Sequence, residues 1–149
     1  MNKEIAKLLR KKGNLECTQK SETLENEICK ISNLNLRNLG LDEKDTVDIT
    51  NIIEQENDNI YILSISFSHN QLIGDVGAIL IAKKIPHSIY EIGLVDCGIS
   101  DNGGYEILNW MRKSNNLQMI CIEQNNFSDK LKMEFNIFRR ENPKVMVVY

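Results

Sequence analysis

"HNQLIGDVGAILIAKKI" (residues 69–85) and "DCGISDNGGYEILNWMRK" (residues 96–113) are two versions of one pattern. A small residue that can sit in a turn, Asn70 or Cys97, is followed two places later by an aliphatic one, Leu72 or Ile99. Asp-x-Gly comes next, at Asp75–Gly77 and Asp101–Gly103, and then a short amphipathic run. A chain that states one unit twice is first tested for more copies, because a fixed period dictates the whole architecture.

Further copies are present. Taking Asn70 as an anchor, apolar residues stand 8, 5 and 3 places before it and 2 after it: Ile62, Ile65, Phe67 and Leu72. The same offsets from Cys97 give Ile89, Ile92, Leu94 and Ile99. From Asn125 they give Leu117, Ile120, Ile122 and Phe127, and from Leu39 they give Ile31, Leu34, Leu36 and Leu41. The anchors are 31, 27 and 28 residues apart. At 42% apolar content, sixteen matches in sixteen places have chance odds of about one in a million.

The spacing has a physical reading. Alternating apolar residues such as Ile65 and Phe67, or Ile92 and Leu94, make a short strand with one face inward. The anchor stands where the chain turns away, and a buried Asn there can bond backbone groups that the turn would orphan. A thiol fits the same slot, whereas Leu39 cannot form such bonds. The second halves read as helices. Residues 42–57 place Val47, Ile49, Ile52 and Ile53 on one side. Residues 76–85 and 104–113 follow Asp75 and Asp101 as candidate N-caps, and residues 128–142 open at Ser128, turn Leu131, Phe135 and Phe138 inward and end at Pro143. Residues 144–149, "KVMVVY", predict a fifth strand. No unit can bury its own apolar edge, so neighbours must stack.

The pattern L-x-x-L-x-L-x-x-N/C-x-L, with "CGISDNGG" (97–104) and "NNFSD" (125–129) its most typical stretches, resembles the leucine-rich repeat family, and its period and helical halves resemble the ribonuclease-inhibitor type. The likeness covers roughly residues 28–149 and departs at Leu39, where Asn or Cys is expected, and at Ile73, one residue more than the pattern allows. It implies an α/β fold: a short horseshoe solenoid, its parallel sheet on the concave face and helices on the convex face. Residues 31–149 would hold four repeats and a terminal strand. Residues 1–30, with two helical stretches broken at Gly13–Asn14 and Ser21 as a candidate cap, would cover the apolar end of repeat one.

Composition narrows the function. A formal net charge of −3 argues against a nucleic-acid partner, which calls for a basic face. No apolar run is long enough to span a membrane. The N-terminal stretch has no apolar h-region, so no Sec-type signal is predicted and a cytoplasmic location is expected. Cys17, Cys29, Cys97 and Cys121 are then expected as free thiols. No His or Cys pair has metal-ligand spacing, no phosphate loop is present, and His69 and His87 stand in no nucleophile–base set. No catalytic residue, metal or cofactor is therefore expected.

The informative surface is the sheet face left free by the inward residues. It reads, repeat by repeat, Asn33, Asn35, Arg37 and Asn38; Ser64, Ser66, Ser68 and His69; Glu91, Gly93, Val95 and Asp96; Met119, Cys121, Glu123 and Gln124; then Met146, Val148 and Tyr149. Exposed apolar and aromatic residues on a strand face serve contact. The candidate protein-binding residues are Arg37, Ser66, Ser68, His69, Val95, Asp96, Met119, Cys121, Glu123, Met146, Val148 and Tyr149, with Tyr149 the sharpest candidate. The expectation is a non-enzymatic module, a monomer or a heterodimer with its partner, that docks on one protein. The resemblance implies that this protein can be an enzyme whose active site the module covers. It also extends to small effectors of bacteria living in eukaryotic cells, which reach a host cytosol by a non-Sec route. The alternative is an adaptor that recruits a target while residues 1–30 bind other machinery.

Overall fold

A computed structural model describes residues 1–26, 31–56 and 61–149. Helices α1 (Asn2–Lys12) and α2 (Leu15–Asn26) come first. Strands and helices then alternate: β1 (Ile31–Asn35), α3 (Glu43–Glu56), β2 (Tyr61–Ser66), α4 (Gly74–Lys84), β3 (Glu91–Gly93), α5 (Asp101–Lys113), β4 (Met119–Cys121), α6 (Asp129–Glu141) and β5 (Met146–Val148). The protein is α/β, with an open, all-parallel sheet in the order β1-β2-β3-β4-β5. Each strand lies beside its sequence neighbour, and each crossover carries one helix.

The inward residues of the strands align across the sheet. Leu34, Ile65, Ile92, Ile120 and Val147 form one register row, and all are buried. Leu36, Phe67, Leu94 and Ile122 form the next layer of the core. On α6, Leu131, Phe135 and Phe138 face this core as their spacing predicts, Ser128 caps the helix by accepting from the Leu131 N–H, and Pro143 follows its end. On α3 the inward stripe is Thr46, Ile49, Thr50 and Ile53, while Val47 and Ile52 are only half-buried. Threonine is tolerated inside because each hydroxyl donates one turn back, from Thr46 to the Asp42 carbonyl and from Thr50 to that of Thr46.

The chain leaves the sheet through four turns of one geometry. Asn38, His69, Asp96 and Gln124, each just before an anchor, all have left-handed backbone, with φ of 55°, 61°, 52° and 60°. Asn70 then makes four bonds: its side-chain oxygen accepts from the Leu39 and Leu41 N–H groups, and its amide nitrogen donates to the Leu36 and Phe67 carbonyls. Asn125 does the same one pair of turns later, for Cys97, Ile99, Leu94 and Ile122. Between them, Cys97 is buried and its thiol reaches the Phe67 carbonyl. The second unit departs as its extra residue foretells, but the slot moves: Ile73 is buried (1% exposed), and Leu72, expected inside, is 70% exposed. The additional residue carries the chain one position further before it re-enters the core.

Asp75 and Asp101 do not cap their own helices. The α4 N-cap is Ile73, and α5 is preceded by Ser100. The Asp75 carboxylate instead accepts from the Ser100 N–H, the Ser100 hydroxyl and the Gly103 N–H, so it caps the next helix along. Asp101 accepts from the Ser128 N–H and hydroxyl in the same manner.

Residues 1–26 form two helices that break at Gly13–Asn14 as expected, but the second starts before Ser21. Gly13, left-handed at φ 78°, ends α1. The Asn14 side chain accepts from the Cys17 N–H and starts α2, so Ser21 is an interior residue, buried and bonded to the Thr18 carbonyl. Ile5, Ala6, Leu9, Cys17 and Leu24 join the same core as the strands. Asn14 and the Cys17 thiol both donate to the Leu39 carbonyl, and Lys12 pairs with Asp45 on α3. Cys17, Cys97 and Cys121 are free thiols, and Cys29 lies outside the described residues. Among the described residues no helix is long and apolar enough to cross a membrane.

Candidate functional site

Alternation along a strand sends every second side chain to the face opposite the helices. The register turns this into rows. Asn33, Ser64, Glu91, Met119 and Met146 lie side by side, and Asn35, Ser66, Gly93, Cys121 and Val148 form the row beside them. A cavity of about 670 Å³ stands over this face. Eight of the twelve candidate residues line it: Arg37, Ser66, Ser68, His69, Val95, Met119, Cys121 and Glu123. Asp96 lines an adjoining hollow with Arg37 and His69, and Met146 and Val148 continue the rows onto the edge strand.

Two assignments are corrected by burial and parity. Ser68 is 3% exposed; its hydroxyl accepts from the Val95 N–H and from Ser66, so it braces the turn and offers little to a partner. Tyr149 follows Val147 and Val148 on β5, and Val147 pairs with the inward Ile120. Tyr149 therefore has the parity of Leu94 and Ile122, both core residues. Its ring lies 5.9 Å from Phe135 and under Arg139 of α6, on the helix side of the sheet. Val95, Met119 and Val148 are half-buried, and Met146 is exposed, at 61%.

A polar chain runs along the lip where strands meet turns. Arg37 Nη2 stands 2.7 Å from His69 Nε2, and His69 Nδ1 stands 3.4 Å from Asp96 Oδ2. A guanidinium only donates, so Nε2 accepts and the ring carries its proton on Nδ1, facing the carboxylate. Gln71 donates to the other Asp96 oxygen at 2.9 Å. Gln71 is a residue the repeat pattern does not single out, since it precedes the extra position of the second unit.

The middle of the face is different. Gly93 has no side chain, and a Cβ there would stand 2.8 Å from the Ser66 hydroxyl and 2.9 Å from that of Ser68. The two serine hydroxyls therefore fill the space that a side chain at position 93 would take. Glu91 and Glu123 flank it, and neither has an ion-pair partner among the described residues. Glu123 Oε2 is buried and accepts no hydrogen bond among those residues. Burial pushes the Cys121 thiol up, and the negative charges of Glu123 and Glu91 push it further. A thiol held protonated in this way is a poor nucleophile. Glu91 and Gly93 belong to the site by this geometry although only their neighbours stand among the candidate residues.

No protein-family model matches the chain, and no curated protein matches it.

Proposed function

We propose that this chain is a short leucine-rich repeat solenoid that binds a protein partner through the free face of its sheet. The observation that carries the reading is the register itself. It gathers residues from four turns, far apart in sequence, into one cavity that joins half-buried apolar side chains to carboxylates. Apolar anchors supply contact energy and charges supply orientation in such an interface. On the other side the helices commit most of their apolar residues to the core, while Leu15, Val76, Met133 and Ile137 stand exposed on them. Helices α1 and α2 serve as the cap of the first repeat: Asn14 between them and the Cys17 thiol of α2 donate to the Leu39 carbonyl, at the anchor that lacks an Asn or Cys of its own.

The test uses two double variants. Met119→Ala with Glu123→Lys alters the face, and Lys83→Glu with Lys113→Glu alters the ends of α4 and α5. Proteins retained by the immobilised wild-type chain are identified, and each is measured against both variants. The expected result is a partner whose affinity falls roughly tenfold or more with the first pair and is unchanged with the second. The reverse order places binding on the helices and overturns the reading. If the retained partner is an enzyme, its activity in the complex reports whether binding covers its active site.

A further inference from the structure

We propose that Asn102–Gly103 is a deamidation site, and that the Asp75 carboxylate, reaching across from the start of α4, is the lock that keeps it closed. The inference stands apart from partner binding. Asn-Gly occurs once in the sequence. Asparagine is among the thermally labile residues, and a glycine after it leaves the next backbone nitrogen unhindered. Asn102 is exposed and Gly103 is buried. Packing demands that glycine: a Cβ at position 103 would stand 2.8 Å from Asp75 Oδ1, 2.8 Å from Ile99 Cγ2 and 2.9 Å from Ala78 Cβ on α4. The close stacking of α5 on α4 thus places a labile pair in the first turn of α5.

The reaction needs the Gly103 nitrogen. Having lost its proton to solvent base, it attacks Asn102 Cγ. The new N–Cγ bond closes a succinimide ring, and the Cγ–Nδ2 bond breaks as ammonia takes up a proton and leaves. Water then adds at either ring carbonyl and opens the ring to aspartate or to isoaspartate. In the body of a helix the nitrogen is shielded, because its N–H is tied to the carbonyl four residues back. Gly103 is the third residue of α5, where the helix itself supplies no such carbonyl. Its N–H is held instead by Asp75 Oδ1 at 3.0 Å, and the same oxygen accepts from the Ser100 N–H at 2.7 Å. These bonds hold the first turn helical, away from the geometry of ring closure, and the negative charge opposes removal of the Gly103 proton. A succinimide has no N–H at position 103 to return to Asp75, and isoaspartate lengthens the backbone of the turn.

The full chain is incubated folded at mildly alkaline pH and, in parallel, unfolded in urea. Samples are digested at acid pH, which halts the reaction, and mass spectrometry follows the peptide that holds Asn102. An isoaspartate-specific methyltransferase counts the rearranged product. Wild type should react at least roughly tenfold more slowly folded than unfolded, and Asp75→Ala should raise the folded rate roughly tenfold, the scale of a lost cap. Asp75→Asn, which keeps an acceptor and loses the charge, should fall between, and it carries the comparison if Asp75→Ala does not fold. Leu9→Ala, which weakens the far end of the core, should leave the folded rate near that of wild type. In urea all the variants should react alike. Circular dichroism reports that each is folded. A folded wild type that reacts as fast as the unfolded chain, Asp75 variants that react like wild type, or equal acceleration by Leu9→Ala overturns the inference.

Discussion

Asn70 is 1% exposed and bonds four backbone groups from two successive turns. Asn125 makes the matching set but is only half-buried. Removing either amide strands N–H and carbonyl groups, and the cost of a stranded group rises as water is kept from it. Asn70→Ala is therefore expected to cost at least about 2 kcal/mol in urea unfolding, and more than Asn125→Ala. Equal losses would show that the two amides are not ranked by burial. Cys97 gives a second expectation. Its thiol is pushed up to about 12 from an ordinary 9.0, chiefly by burial. The folded chain then keeps a proton that the unfolded chain releases. The sign is fixed: stability is full below the unfolded thiol's value and is lost as pH rises from there towards the folded value. Wild type should lose stability more steeply than Cys97→Ala between about pH 9 and 11; parallel curves would refute it. Both anchors were legible in the sequence, because a buried turn has few ways to satisfy its backbone. Leu72 and Tyr149 were misread for the opposite reason. One extra residue flips Leu72 outward, and parity after the last strand cannot be fixed without a following anchor.

At the scale of the element, the strands and the second halves of the units follow from periodicity, while the joints between helices do not. Asp75 and Asp101 read as caps of the helices they open, since a capping signal is sought within three residues of the cap. Each instead holds the N-terminus of the following helix, 25 or more residues on. No local pattern encodes that partner; it exists only once the units are stacked. The same applies to Asn14, which starts α2 and also bonds Leu39. The carboxylates differ in setting, because the Asp75 bonds are part-buried and those of Asp101 exposed. Asp75→Ala leaves the Ser100 and Gly103 N–H groups uncapped and should cost about 1–2 kcal/mol, the range of a lost N-cap. Asp101→Ala should cost less. Thermal melts of the two variants check the order. If Asp75→Ala melts like wild type, the contact between units does not hold them together.

For the whole molecule, the question is whether α1 and α2 fold with the sheet or apart from it. A terminal element can fray by itself when its interface with the rest of the fold is weak. Here the interface is not weak. Leu9 and Ile5 of α1 and Leu24 of α2 are fully or almost fully buried in the core that continues to Val147. Polar ties from Lys12, Asn14 and Cys17 reach α3 and the first turn. The expectation is one cooperative transition. Trp110, buried on α5 with its indole N–H on the Ile85 carbonyl, reports the far side of the molecule by fluorescence. Far-UV circular dichroism reports all the helices. Leu94→Ala, at the centre of the sheet, should cost about 2–5 kcal/mol and shift both signals together. Leu9→Ala should do the same, although Leu9 and Trp110 lie on different ends of the strand order, because the core between them is continuous. An early dichroism phase in Leu9→Ala with an unmoved Trp110 midpoint would show that α1 and α2 melt separately. The sheet would then stand without them, and their role as a cap would fall.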